Sequence, residues 1–410
     1  MIPTGMEHAL LEAMGEMEII DAHEHLGPES NRTSAEVDVF TLFSHYTRGD
    51  LAVAGMSNED YEKLFDRSLP LDERWALFEP YWNHIRYGSY AKAALLAAER
   101  FYGVSDINES TYETLSEAIQ DANQPGIYEQ VLREACNIRV ALTQCGSTDL
   151  GDTDLLVPLM PLVYNLETGA ELTQPPFAKD ESITSLDAYL DAARAYLKRC
   201  KDEGAVGFKM FSNPYESPTR EPAANAFNQL ISGGVEHLPL PNPLRDYVVD
   251  ELIAYATELD LVIAVHTGYW GDFRMLDPTH MIPVLQRHPK TRFDIYHLGY
   301  PWMREAIMLG KGFPNVWLNL CWTHIISQQF TKIAIDELLD MIPMNKIIAF
   351  GGDYALPVEK VYGHLMMARE DLARVFARRI GDGDLSENRA IEIANQWFWS
   401  NPRELYQLDV

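Results

Sequence analysis

The stretch EIIDAHEHL, residues 18–26, decides the fold when set beside four others: VGFKMF (206–211), LVIAVHTG (261–268), FDIYHLG (293–299) and IIAFGGDY (347–354). Each is a short apolar run of strand-like composition that ends on a side chain able to bind a metal ion. In chain order these side chains are His23 and His25, Lys209, His266, His297 and Asp353. Alternate residues of a strand share a face, so His23 and His25 can point the same way toward one ion. The other ligands arrive from separate strands, as in a barrel whose active site lies at the strand C-termini.

Working outward, IRVALTQC (138–145), LLVPLMPLVY (155–164) and VWLNLCW (316–322) complete a set of eight strand candidates. Amphipathic helical runs lie between most of them. SLDAYLDAARAYLKRCKDEG (185–204) is typical, with Ser185 at its N-cap and Gly204 at its stop. From His266 to His297 is 31 residues, one strand–helix unit; from His297 to Asp353 is 56, two units. Repeats of that size argue for parallel strands with right-handed crossovers. The expected fold is an α/β, TIM-like (β/α)8 barrel. Residues 1–26 hold an N-terminal segment and the first strand, 27–136 a helical insertion or lid, and 137–410 the rest of the barrel with a closing C-terminal helix. Six prolines between 212 and 243 predict a loop there. Long loops on a barrel usually serve the functional rim.

The chain has 410 residues and a net charge of −28, with 47% hydrophobic and 23% charged residues. That composition supplies a globular core. Its acidity argues against nucleic acid or an anionic membrane as partner and reads as solubility. No run reaches the roughly 18 apolar residues of a membrane span. The N-terminus lacks the basic and apolar regions of a signal peptide. Four scattered cysteines without a CxxC pair fit a reduced, cytoplasmic setting. Expected partners are a small-molecule substrate and, as for many barrels, further copies of the chain.

Imidazole nitrogen and carboxylate oxygen together suit a divalent ion, zinc first, with manganese, iron or nickel able to use the same atoms. The i, i+2 spacing of His23 and His25 belongs on a strand, unlike the HExxH of helical zinc sites. Asp353, Lys209 and His297 are the candidate catalytic residues. Asp353 can touch the metal, take a proton from an activated water and pass it to the leaving group. Lys209 has two readings: a carbamate that bridges two ions, or an ammonium that pairs with an anionic substrate group. One or two ions are therefore expected. The candidate substrate contacts are Trp270 and Arg274 after His266; Tyr300, Trp302 and Arg304 after His297; Trp322 and His324 after the seventh strand; and Tyr354 after Asp353. Arginine grips a carboxylate with a planar fork, which suggests a small carboxylate-bearing substrate. His45 and His84 fall in the insertion and are candidate lid residues.

This ligand pattern resembles the amidohydrolase superfamily, in its amidohydrolase-related branch. That superfamily is defined by HxH on strand one, Lys or Glu on strand four, His on strands five and six, and Asp on strand eight. The stretch from HTGYWGDFR to GGDYALP is similar to the amidohydrolase domain that precedes a glutamine-synthetase-like domain in some fused proteins. GFKMF resembles the strand that carries the carbamylated lysine of dihydropyrimidinase-like members. FSHYTRGDLAVAGMSNEDYEKLF resembles the helical insertion of uronate isomerases, which do not rely on a strand-four lysine ligand. These resemblances imply a metal-dependent hydrolase cleaving an amide, lactam or ester of a small polar molecule. The alternative they leave is a sugar-acid isomerase or decarboxylase on the same scaffold.

Overall fold

β-branched and aromatic residues crowd the strand segments, and all eight form strands in a computed structural model that describes residues 5–151, 154–162, 166–178, 183–216 and 218–410. They are β1 (Ile19–Glu24), β2 (Ile138–Thr143), β3 (Leu156–Pro161), β4 (Gly207–Phe211), β5 (Val262–His266), β6 (Phe293–Tyr296), β7 (Val316–Asn319) and β8 (Ile347–Ile348). Residues 163 and 164, the end of the third predicted strand, lie outside the described residues. The strands follow chain order around one sheet, every neighbouring pair parallel. Backbone bonds from the segment after β8 close the circle against the first strand: Ala22 to Phe350 (3.1 Å), Asp353 to His23 (2.8 Å) and His25 to Tyr354 (2.9 Å). The result is a nearly closed barrel of eight parallel strands.

Both faces of a barrel strand are covered, so both are apolar. Ile20, Ala22, Val140, Leu142, Leu159, Val262 and Ala264 fill the interior. Their neighbours Ile19, Ala141, Phe208, Ile263, Val265 and Leu318 belong to the layer beneath the helices. The C-terminal residues Leu405, Tyr406 and Leu408 join the interior cluster. Tyr406 donates to Asp294 Oδ2 (2.7 Å), and its hydroxyl meets that of Tyr296 (3.0 Å).

Burial pushes the Asp294 carboxyl up to about 7, against the bonds from Asn319 and Tyr406 that favour its charged form. In the unfolded chain it titrates near ~4. Between those values the native state holds a proton that the unfolded state has lost. The stabilising contribution is fully present below ~4 and is lost as pH rises through 7, at ~1.4 kcal/mol per pH unit. Asp294→Asn should remove that slope. Urea melts at pH 5 and pH 7.5 should show the variant gaining on the wild type at the higher pH; a pH-independent difference would count against the assignment.

Between β1 and β2 lies a set of helices, including Thr47–Val53, Leu71–Ile85, Ser89–Tyr102 and Tyr112–Ala122. Phe40, Phe43, Phe78 and Trp82 pack ring to ring among them, in a cluster separate from the barrel interior. Arg32, at the start of this region, meets Glu359 of the helix Glu359–Asp382 at 2.7 Å with both side chains buried. Tyr102 donates to the same Glu359 oxygen at 2.7 Å. These bonds fasten the helical region to the barrel.

One expectation is corrected. The proline-rich stretch 212–243 is not all loop, because Arg220–Ile231 is a helix. Pro222 falls in its first turn, where the missing N–H has no intrahelical partner to lose, and Pro243 opens the next helix, Pro243–Glu258. Elsewhere Ser185 caps its helix by accepting from the Ala188 amide, as predicted. All four cysteines are free. Among the described residues no helix is long and apolar enough to cross a membrane.

Candidate metal centre

β1 carries His23 into the barrel mouth, fully buried, and His25 follows just past the strand's last residue. Asp353 lies five residues beyond the end of β8, in a left-handed backbone conformation (φ 64°). A non-glycine residue holds that conformation only when its surroundings fix it. Here three consecutive amides are tied to the first strand: Gly352 donates to Asp21 Oδ1 (3.1 Å), Asp353 to the His23 carbonyl (2.8 Å) and Tyr354 to Glu24 Oε2 (2.6 Å). The glycines before Asp353 are required by close approach. A Cβ on Gly352 would stand 2.0 Å from Glu24 Oε1, and one on Gly351 2.5 Å from Cys321 Cβ. Burial pushes the Asp21 carboxyl up to about 6 and raises Glu24 as well, consistent with a proton held between these neighbouring acids.

His23 Nε2 and His25 Nε2 stand 3.1 and 3.3 Å from Asp353 Oδ1. Ligand atoms of the three residues lie within 4.8 Å of one another. His25 Nδ1 meets the Gln144 carbonyl at 2.7 Å, which places its proton on Nδ1 and leaves Nε2 free as a lone pair. Lys209 Nζ borders the same point, 2.6 Å from His23 Nε2. His266 Nδ1 and His297 Nε2 lie 3.0 Å apart, and His297 Nε2 is 4.0 Å from Asp353 Oδ2. His297 has φ 66°, and its Nδ1 faces the Cys321 carbonyl at 3.1 Å. The structure thus gathers all six predicted ligand candidates at one end of the barrel, with His23, His25 and Asp353 as the tightest group.

The protonation states suit a cation. Burial, helped by the Lys209 charge, holds His23 well below the usual imidazole range. Burial also depresses His266 strongly and takes His297 to about 4. Burial alone would raise Asp353, but the neighbouring His23 imidazole holds it well below the carboxylate range. Neutral imidazoles around a charged carboxylate are what metal binding requires. Asp353 Oδ1 and His266 Nε2 are buried without a hydrogen-bond partner, although two imidazole nitrogens approach that oxygen closely. Buried polar atoms seldom stay unpartnered. Donor chemistry and orphaned atoms both fit a divalent ion held by His23, His25 and Asp353.

Sequence reasoning missed Tyr46. Its hydroxyl donates to Asp353 Oδ2 at 2.6 Å, from a loop in the helical region. Burial, reinforced by the Asp353 charge, raises its pKa well above the ordinary value, so it stays a donor. The Tyr46 ring packs 4.4 Å from Trp322 and 5.9 Å from Tyr90. A cavity of about 270 Å³ opens onto the centre, lined by His25, His45, Tyr46, Gln144, Lys209, Phe211, His266, Trp270, Asp353 and Ala355. His45 and Trp270, both singled out from the sequence, therefore face it; Gln144, Phe211 and Ala355 carried no signal.

The other expected substrate contacts are placed differently. Arg274 and Arg304 lie exposed, paired with Asp272 and Glu337 at 2.7 Å each. Their forks are occupied at the surface and do not line the cavity. Tyr300 packs on Phe330 and Trp302 on Phe273. His324 is buried with both ring nitrogens engaged, by Asp371 (3.1 Å) and the Ala349 carbonyl (3.0 Å), so its role is structural. Trp322 is buried behind Tyr46, with its ring 5.1 Å from that of His297. Tyr354 is buried too, its carbonyl accepting from the His25 amide.

Barrel and site together define a class: the chain belongs to the amidohydrolase family, whose model matches residues 175–408. Among particular relatives, it is 25% identical over 227 residues to protein fluG of Emericella nidulans. That alignment takes in 51% of this chain and 26% of fluG, so the chain spans about a quarter of the curated relative it matches. Its fold is similar to that of uronate isomerase from Thermotoga maritima, with TM-score 0.78, 15% identity and 98% of each chain covered. Glucuronate isomerase from Caulobacter crescentus gives TM-score 0.78 at 17% identity, over 99% of this chain and 94% of that one.

Proposed function

We propose that this protein is a metal-dependent hydrolase acting on an amide, lactam or ester of a small polar molecule. The observation that carries this reading is the convergence of His23, His25 and Asp353, with Tyr46 donating to the second Asp353 oxygen. A divalent ion in that group, zinc by preference for two imidazoles and a carboxylate, would polarise a carbonyl and acidify a water. Asp353 would accept the proton and return it to the leaving group. Tyr46 holds the carboxylate in place. Lys209, His266 and His297 border the same space. They could hold a second ion if Lys209 is carbamylated; otherwise Lys209 orients the substrate.

The carboxylate–phenol pair also suits moving a proton between adjacent carbons, which makes a sugar-acid isomerase the second reading. The deciding experiment offers amides, lactams, esters and uronates to zinc-loaded and chelator-stripped protein. Release of amine or acid that disappears on stripping and returns with metal is expected. Aldose–ketose conversion or CO2 release alone would replace the hydrolase reading.

Tyr46→Phe removes one charge-assisted hydrogen bond from Asp353 without changing the ring packing. Such bonds are worth about 1.5–3 kcal/mol, so kcat should fall on the order of 10- to 100-fold with metal content unchanged. An unchanged kcat would mean that Tyr46 has no part in turnover.

A further inference from the structure

A second cavity of about 810 Å³ lies beside the one at the metal centre, and the two share His45, Tyr46 and Trp270 as a common wall. This outer chamber is bounded on one side by the helix Thr47–Val53 and on another by the loop after β5. Its aromatic faces are Tyr90, Tyr269 and Trp270, and Ala52, Ala54 and Ile85 add apolar surface. Arg48 is on the rim, but its guanidinium is taken by Glu62 at 3.1 Å. Asp50, Asn58 and His84 add polar lining, but most of the chamber surface is aromatic or apolar, and the Asp50 carboxylate disfavours an anionic group. Val53, Tyr269 and Trp270 remain exposed around the chamber, at 92%, 44% and 51%. Exposed rings at the mouth of a concave, largely apolar pocket suit a ligand-binding role.

Resting on the hydrolase reading, we propose that the outer chamber is a specificity subsite for an aromatic arm of the substrate. The inner cavity admits the scissile group. A cavity of about 150 Å³ can hold a benzene ring, so its 270 Å³ holds the polar head and at most one small ring, and a larger planar group must extend into the outer chamber. The outer volume is that of a pocket for a drug-sized group. The arm passes between His45, Tyr46 and Trp270, so the residue that anchors Asp353 is also in contact with the bound substrate. The preferred substrates are amides or esters whose polar reacting end is joined to a planar apolar group.

Two chelating probes test this without turnover: acetohydroxamic acid, which has no arm, and 2-naphthohydroxamic acid, titrated calorimetrically into zinc-loaded protein. The naphthyl compound should bind about tenfold or more tightly than acetohydroxamate. Ala54→Trp, which fills the chamber, should erase most of that advantage while acetohydroxamate affinity stays within about twofold. Tyr269→Ala, at an exposed loop position, should reduce the same advantage if Ala54→Trp does not fold. Equal affinity of the two probes, or an advantage untouched by a folded variant, overturns the chamber and leaves the metal reading intact. Failure of acetohydroxamate to bind the loaded protein overturns the metal reading and this inference with it.

Discussion

Asp353→Asn is expected to lower turnover by about 10²- to 10⁴-fold, the range associated with losing a positioned acid–base group. The size follows from how much one carboxylate does. Its Oδ1 faces His23 and His25, and its Oδ2 receives the Tyr46 hydroxyl. An amide keeps the shape and an acceptor for Tyr46, but loses the negative charge and the proton-accepting capacity. Metal affinity should fall as well, because a charged ligand becomes neutral. Assays at saturating metal separate the two effects: a deficit that persists there belongs to proton transfer. Near-wild-type turnover in the metal-saturated variant would contradict the role assigned to Asp353.

The second large effect is on stability. Glu359→Ala leaves the buried Arg32 guanidinium and the Tyr102 hydroxyl without their shared partner. Removing one member of a buried ion pair costs about 3–5 kcal/mol, because the remaining charge stays desolvated. Because the pair joins the helical region to the barrel, that region should loosen first. Chemical denaturation should show the loss, and hydrogen exchange should show it concentrated between residues 29 and 122. The double variant Arg32→Met/Glu359→Leu removes both charges and should recover much of the stability. A single variant as stable as the wild type would mean that the contact is not buried in solution.

The barrel and its candidate metal ligands were legible because five of the eight strands carry a local signal: an apolar run ending in His, Lys or Asp. Position at a strand end then converts order in the chain into proximity in space. Tyr46 was illegible for the opposite reason. It lies 307 positions before Asp353, in a loop with no periodic signal, and only packing against Trp322 and Tyr90 brings it to the carboxylate. Arg274 and Arg304 show the reverse error. Their place after strand ends suggested the site, but local acids, Asp272 and Glu337, hold them outside it. Pro222 misled because a proline count ignores position, and in a first turn the residue costs a helix little.

The most direct test is anomalous diffraction at the zinc edge from crystals of the metal-loaded protein. A peak is expected within bonding distance of His23 Nε2, His25 Nε2 and an Asp353 oxygen. A fully loaded protein with no peak there, or with zinc only at surface residues, would contradict the proposed centre.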